Sequence, residues 1–202
     1  MIPITAIVLA AGASSRMGDF KQLLPIEGTP MLEGTLTKVL SFPFLEVIAV
    51  LGHKEHEIRE TIHIQDPRFK WVSNPDYKEG LSSSIKMAIH QHDKQTKGIF
   101  VFLGDQPLLK KSTIDRMLQV IKNLPTNQSK LIVQPAFNGI PGHPVFISTQ
   151  MIPYLNKITG DQGAKPIFKF ADQHSFVPID DEGVILDIDT KQDYQNVVNH
   201  LK

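Results

Sequence analysis

The chain has 202 residues, 21 basic and 21 acidic side chains, a formal net charge of +0 and 41% hydrophobic residues. That length supports one sizeable core, and the even charge argues against broad electrostatic binding to nucleic acid or to an anionic membrane. With no cysteine, disulfides, thiolate nucleophiles and cysteine-ligated metals are excluded. Met1 to Thr5 carries no basic stretch and the apolar run behind it is short. Neither a signal peptide nor a membrane helix is expected, and the expected location is cytoplasmic.

Residues Ile4 to Ala10, Leu45 to Leu51 and Gly98 to Leu103 are continuous apolar runs. Strands that are apolar on both faces belong inside a parallel sheet covered by helices. Between them, Thr29-Pro30 reads as an N-cap followed by proline at the first helical position, opening a helix to about Leu40. Lys54 to Ile62 is a short polar helix, and Ser82 to Gln91 places Ile85, Ala88 and Ile89 at helical spacing. Ser112-x-x-Asp115 resembles a capping box for a helix to about Leu124. Trp71 sits in a strand-like stretch and reads as core. Further on, Leu131 to Pro135 and Pro144 to Ser148 read as strands around a Gly/Pro-rich loop. Val184 to Asp189 reads as another strand, and Thr190-x-x-Asp193 opens the closing helix. The alternation predicts a doubly wound α/β sheet with right-handed crossovers. One domain spans 1–202, and the reading that follows gives its first half, about 1–125, to phosphate and nucleotide and its second half, about 126–202, to the acceptor.

The first run ends in Leu9-Ala10-Ala11-Gly12-Ala13-Ser14-Ser15-Arg16-Met17-Gly18, with Lys21 three residues on. Ligands bind at the carboxyl ends of strands in such sheets, where small residues let phosphate approach backbone N–H groups. Arg16 and Lys21 add positive charge there; Arg grips two oxygens and Lys acts as a mobile point charge. The dinucleotide fingerprint fails because position 14 is Ser, and the P-loop fails because Asp19 follows Gly18. A plain glycine turn with two solvated cations is the bland alternative.

The stretch Leu9 to Lys21 resembles the signature of the sugar-nucleotide and molybdopterin nucleotidyltransferases. Nearly the whole chain is similar to the molybdenum cofactor cytidylyltransferases and related purine-catabolism proteins. The likeness takes in Gly80-Leu81-Ser82-Ser83-Ser84, Gly104-Asp105-Gln106-Pro107, Gly142-His143-Pro144, Gly160-Asp161-Gln162-Gly163-Ala164 and Asp187-Ile188-Asp189-Thr190. It implies a Rossmann-like three-layer α/β sandwich of the nucleotide-diphospho-sugar transferase (GT-A) type. It also implies transfer of CMP from CTP to a molybdopterin-type cofactor, with release of pyrophosphate, for a client molybdenum hydroxylase such as xanthine dehydrogenase.

Asp105 follows an apolar strand and Gly104, so it sits at a strand's carboxyl end. Asp187 and Asp189 alternate with Leu186 and Ile188, which on a strand turns both carboxylates to one face. Magnesium prefers oxygen ligands and commonly takes one or two carboxylates with phosphate oxygens and water. The resemblance implies Mg2+ held by Asp105 and Asp189, with Asp187 as a neighbour. It further implies Arg16, Lys21 and Asp105 as catalytic residues. Leu9, Ala10, Ala11, Gly12, Ser14, Ser15, Gly80, Ser82, Ser83 and Ser84 would join them in binding nucleotide. Gly142, His143, Gly163 and Lys165 would contact the acceptor. Where family members often carry a basic residue, this chain has Pro141, which weakens the grip of that loop on acceptor phosphate. The bland readings are a helix-capping serine, a turn aspartate at 105 and a helix-capping Asp189.

The remaining histidines form no zinc pattern: His53 and His56 share at most a helix face, and His90 and His92 do not. Two other functions stay open: a nucleotidyltransferase for a sugar phosphate or other phosphorylated acceptor, and a non-catalytic carrier of the finished cofactor. Retention of Arg16, Lys21, Asp105 and Asp189 favours catalysis.

Overall fold

The computed structural model describes residues 1–12, 17, 20–126 and 128–201. In chain order the elements begin with β1 (Ile2–Leu9), β2 (Pro25–Ile26), β3 (Thr29–Pro30), α1 (Met31–Leu40), β4 (Phe44–Leu51), α2 (Glu55–Thr61) and β5 (Phe69–Ser73). Then come α3 (Leu81–Gln91), β6 (Gly98–Leu103), α4 (Lys111–Lys122), β7 (Leu131–Phe137), β8 (Ile140–Pro141), β9 (Val145–Ser148), α5 (Ile152–Leu155), β10 (Gln173–Pro178) and α6 (Lys191–His200).

Both halves of the chain build one sheet, ordered β10-β7-β9-β6-β1-β4-β5, with β8 added beside β7. β1 pairs in parallel with β4 and with β6, β4 with β5, and β10 with β7. β9 runs antiparallel to β6 and β7. The apolar runs thus become central strands. Alternate residues of β1 divide between two cores: Ala6 and Val8 pack with Leu36, Val39, Ile114 and Met117 of α1 and α4. Ile7 and Leu9 pack with Ile85, Ala88 and Ile89 of α3 and with Leu155 of α5. This is the two-residue side-chain period of a strand buried on both faces. The mainly parallel, three-layer α/β sandwich expected from the sequence is the fold observed.

Three local expectations change. Thr29 is no helix cap: Thr29–Pro30 pairs with Pro25–Ile26 as a two-residue ribbon, and α1 starts at Met31, whose N–H donates to the Leu24 carbonyl at 2.9 Å. Ser112 and Asp115 form no capping box. Instead the buried Asp181 carboxylate reaches the start of α4, accepting from Lys110 N at 2.8 Å and Thr113 Oγ1 at 2.6 Å. Finally, 184–189 is not a strand. A 3-10 turn over Glu182–Val184 leads into irregular chain, because its polar groups bond to the site and to the next helix rather than to a neighbouring strand. The closing helix does begin at the Thr190/Asp193 capping box. Trp71 lies on β5, the strand at the sheet's edge, and is only partly buried, with the Arg59 guanidinium 5.8 Å from its ring.

Candidate active site

The chain leaves β1 for β4 on one side and returns to β6 on the other, so the carboxyl ends of β1 and β6 flank the switch point of the sheet. In doubly wound folds the ligand crevice opens there. Two adjoining hollows occupy it. A cleft of about 690 Å³ is lined by Leu9, Ala10, Ala11, Gly12, Lys21 and Asp105, and also by Gly80, Ser84 and Asp189. A cavity of about 1090 Å³ beside it contains Gly142, His143, Gly163, Lys165 and Asp187 in its walls. Leu9, Leu81, Leu103 and Asp161 border both.

At the floor of the smaller cleft, the buried Lys21 ammonium bridges two carboxylates. It lies 2.6 Å from Asp105 Oδ2 and 3.0 Å from Asp189 Oδ1, and it donates to the Ile188 carbonyl at 3.0 Å. Burial disfavours this charge, but the two aspartates outweigh it and hold the Lys21 pKa above its ordinary value. Lys21 and the glycine loop are tied together by Gln22, whose Nε2 donates to the carbonyls of Ala10 (3.2 Å) and Gly12 (2.9 Å). Nothing in the sequence marked Gln22. Its role follows from burial of an amide beside the carbonyls of the loop, which only tertiary structure reveals.

The other half supplies the remaining acids. Gln106 Nε2 donates to Asp187 Oδ1 at 2.7 Å and to the Val184 carbonyl at 3.2 Å. Desolvation in the cavity wall, and then the like charge of Asp105, raise the Asp187 carboxyl above the usual carboxylate range. Burial pushes the His143 imidazole below its ordinary value, and the neighbouring Lys165 charge acts in the same direction. The Val101 carbonyl, 3.4 Å from Nδ1, and the charge of Asp105 oppose this less strongly.

Of the serine run, only Ser84 lines the cleft. All three serines are buried: Ser82 Oγ donates to the Gly163 carbonyl, and Ser83 Oγ shares its one proton between the carbonyls of Gly80 and Asp76. Asn74 Nδ2 donates to both Ser83 Oγ (2.8 Å) and Ser84 Oγ (2.9 Å), aligning the start of α3. Gly80 has φ +99° and lies against the Gly160 carbonyl; a Cβ would fall 2.6 Å from the Gly160 carbonyl carbon. That close approach joins the 160–165 loop to α3, where Asp161 Oδ1 accepts from Leu81 N at 3.1 Å. Gly142 is equally constrained, since a Cβ would lie 2.1 Å from the Val184 carbonyl oxygen. Ser14, Ser15 and Arg16 lie outside the described residues.

The donor set suits a hard cation. Asp105 Oδ1 is buried and has no hydrogen-bond partner among the described residues, and a positive charge already sits between Asp105 and Asp189. Among the described residues no three metal-ligating side chains converge. Two carboxylates completed by phosphate oxygens and water are nevertheless a common magnesium environment.

A doubly wound sheet whose first loop meets paired carboxylates at the switch point defines a nucleotide-handling α/β protein. The chain belongs to the MobA-like NTP transferase family, whose model matches residues 6–176. It is 32% identical to the molybdenum cofactor cytidylyltransferase of Escherichia coli (strain K12), over 96% of this chain and 95% of that protein. It is 27% identical to the purine catabolism protein PucB of Bacillus subtilis (strain 168), again over 96% and 95%. A solved manganese complex of Rv0371c from Mycobacterium tuberculosis H37Rv has 26% identity and a TM-score of 0.78, covering 98% of each chain. The protein is thus a nucleotidyltransferase of the MobA-like type. Among the described residues no helix is long and apolar enough to cross a membrane.

Proposed function

We propose that the protein transfers CMP from CTP to a molybdopterin-type cofactor, releasing pyrophosphate, in the maturation of a molybdenum hydroxylase such as xanthine dehydrogenase. The observation that carries this reading is the Lys21 bridge between Asp105 and Asp189, at the junction of a glycine-lined cleft and a larger cavity. The likeness to a molybdenum cofactor cytidylyltransferase supports CTP and the pterin acceptor, and the likeness to a purine catabolism protein supports a purine-oxidising client.

In this reading the triphosphate lies along Ala10, Ala11, Gly12, Ser14 and Ser15, with Arg16 and Lys21 on its charge and Ser84 near the base or ribose. Ser82 and Ser83 then act through the shape of the α3 start. Gly142, His143, Gly163 and Lys165 face the acceptor. An oxygen of the acceptor phosphate attacks the α-phosphorus as the bond to the β-phosphate breaks, and pyrophosphate leaves with the electron pair. No general base is required, because the attacking phosphate is already ionised. The work falls to alignment and charge stabilisation. Asp105 and Asp189 would hold magnesium, which when bound supplies neutralising charge to the phosphates. The manganese complex of the mycobacterial relative supports a divalent cation in this family. Lys21 moves from its carboxylate partners toward the phosphates as they enter.

The test is pyrophosphate release from CTP in the presence of molybdopterin and magnesium. Release dependent on both supports the assignment. Binding of the cofactor without release supports a carrier, and release with a sugar phosphate in place of the pterin moves the protein to another acceptor.

A further inference from the structure

Lys38 is a half-buried cation that no step of the transfer uses. It stands in the last turn of α1, and its ammonium donates to two main-chain carbonyls of one loop, Pro107 at 2.7 Å and Leu109 at 2.5 Å. Among the described residues it forms no ion pair. Burial pushes its pKa below the ordinary value; the charge of Asp181 opposes this and that of Lys111 adds to it. The Asp181 carboxylate is itself engaged by Lys110 N, Thr113 Oγ1 and Gly183 N. A cation withdrawn from water without a counter-ion costs stability unless its hydrogen bonds offset the loss. Here those bonds go to the segment that joins Asp105 to α4.

That segment supports both carboxylates of the cleft. Asp105 lies two residues before Pro107. The turn over Glu182–Val184, which leads to Asp189, is seated on the same loop: a Cβ at Gly183 would fall 2.5 Å from the Leu108 carbonyl carbon. The Ile188 N–H then donates to the Asp105 carbonyl at 3.0 Å. Two carbonyl oxygens turned toward one point repel each other, and the ammonium between them removes that repulsion and fixes the loop. A shift of residues 107–109 would move Asp105 relative to the 182–189 segment, and the spacing of its ligands governs how well a divalent cation is held.

We infer that Lys38 is a positioning residue: by clamping the Pro107 and Leu109 carbonyls it sets the spacing of Asp105 and Asp189, and so the affinity of that pair for a divalent cation. The inference rests on the nucleotidyltransferase reading of the cleft, in which these two carboxylates hold the metal. Electrostatics alone gives the opposite sign. Removing one positive charge near a cation site should tighten the cation, so a weaker site in a Lys38 variant has to come from lost geometry.

Free Mn2+ is followed by electron paramagnetic resonance in titrations of the full-length chain, with and without CTP. Wild type is compared with Lys38→Met, which loses the donors, and with Lys38→Arg, which keeps charge and donors. Lys111→Met serves as control, since it removes a neighbouring charge that clamps neither carbonyl. Lys38→Met should bind Mn2+ roughly tenfold more weakly. Lys38→Arg should recover most of the affinity, and Lys111→Met should bind as wild type does or tighter. Lys38 lines a groove of about 730 Å³ with Pro107 and Lys111, so water can reach the carbonyls it leaves. The melting temperature of Lys38→Met should therefore stay within a few degrees of wild type, and CTP affinity without metal should be the same in all four proteins. A Lys38→Met variant that unfolds, one that binds Mn2+ as tightly as wild type, a loss shared by Lys111→Met, or wild type that binds no Mn2+ would each overturn the inference. A loss specific to Lys38 in a protein that releases no pyrophosphate from CTP would uphold the clamp and strike down the nucleotidyltransfer reading instead.

Discussion

Lys21 and Asp105 have opposite relations to the fold. Lys21 is buried and makes three contacts, whereas Asp105 contributes one oxygen to the ion pair and keeps Oδ1 unpartnered among the described residues. Replacing Asp105 by Ala leaves the lysine paired with Asp189 and Ile188. The variant should therefore fold normally, with a melting temperature by circular dichroism within a few degrees of wild type. Its rate of pyrophosphate release should fall by at least about 100-fold, on the order expected for losing a main charge-stabilising group. A variant that unfolds, or one that turns over normally, contradicts the assignment. His143 gives a second prediction. Its folded pKa is lowered mainly by burial, so the folded state prefers the neutral ring. The associated stability is fully present above the ordinary value of 6.5 and is lost as pH falls below it toward the folded pKa. Thermal melts from pH 7.5 to pH 5 should decline in wild type and decline less steeply in His143→Gln. Parallel curves would remove His143 as a source of the acid sensitivity.

Among the elements, the turn over Glu182–Val184 does most to bring the two halves of the site together. Asp181 accepts from Gly183 N at 3.0 Å as well as from Lys110 N and Thr113 Oγ1, so one buried carboxylate fixes the start of α4 and the segment carrying Asp187 and Asp189. Asp181→Ala removes all three bonds and should cost about 2 kcal/mol or more in chemical denaturation. It should also weaken metal-dependent nucleotide binding by calorimetry; a variant with wild-type stability would show that Asp181 does not hold the turn. This element is also where the sequence misleads. Alternation in Leu186-Asp187-Ile188-Asp189 has the period of a strand, but among the described residues it pairs with no strand, and Lys21, Gln106 and the Asp193 cap take its polar groups. β10 is not legible in the sequence for the opposite reason: Gln173-His174-Ser175-Phe176 is too polar for an apolar run, because it is an edge strand with one face on a cavity. β1, β4 and β6 were legible because central parallel strands need apolar residues on both faces.

Across the whole molecule, the legible parts of the site are those fixed by chain position: a loop after β1, an aspartate after β6, and glycines where backbones touch. Gly142 and Gly80 belong to this group, since each lies against another backbone in a way no side chain permits. Pairings between distant segments were not legible. Lys21 with Asp189 spans 168 residues, Gln134 with His174 spans 40, and no local pattern encodes either. Neither was the burial of Ser82 and Ser83, which depends on Asn74 and on the 160–165 loop.

Isothermal calorimetry with CTP, GTP, ATP and UTP, each with and without magnesium, on wild type and Asp105→Ala, tests magnesium-dependent use of CTP by this cleft. Magnesium-dependent binding with CTP preferred, and loss of the magnesium dependence in the variant, is the expected result. Preference for another nucleotide, or no binding of any triphosphate, would contradict it.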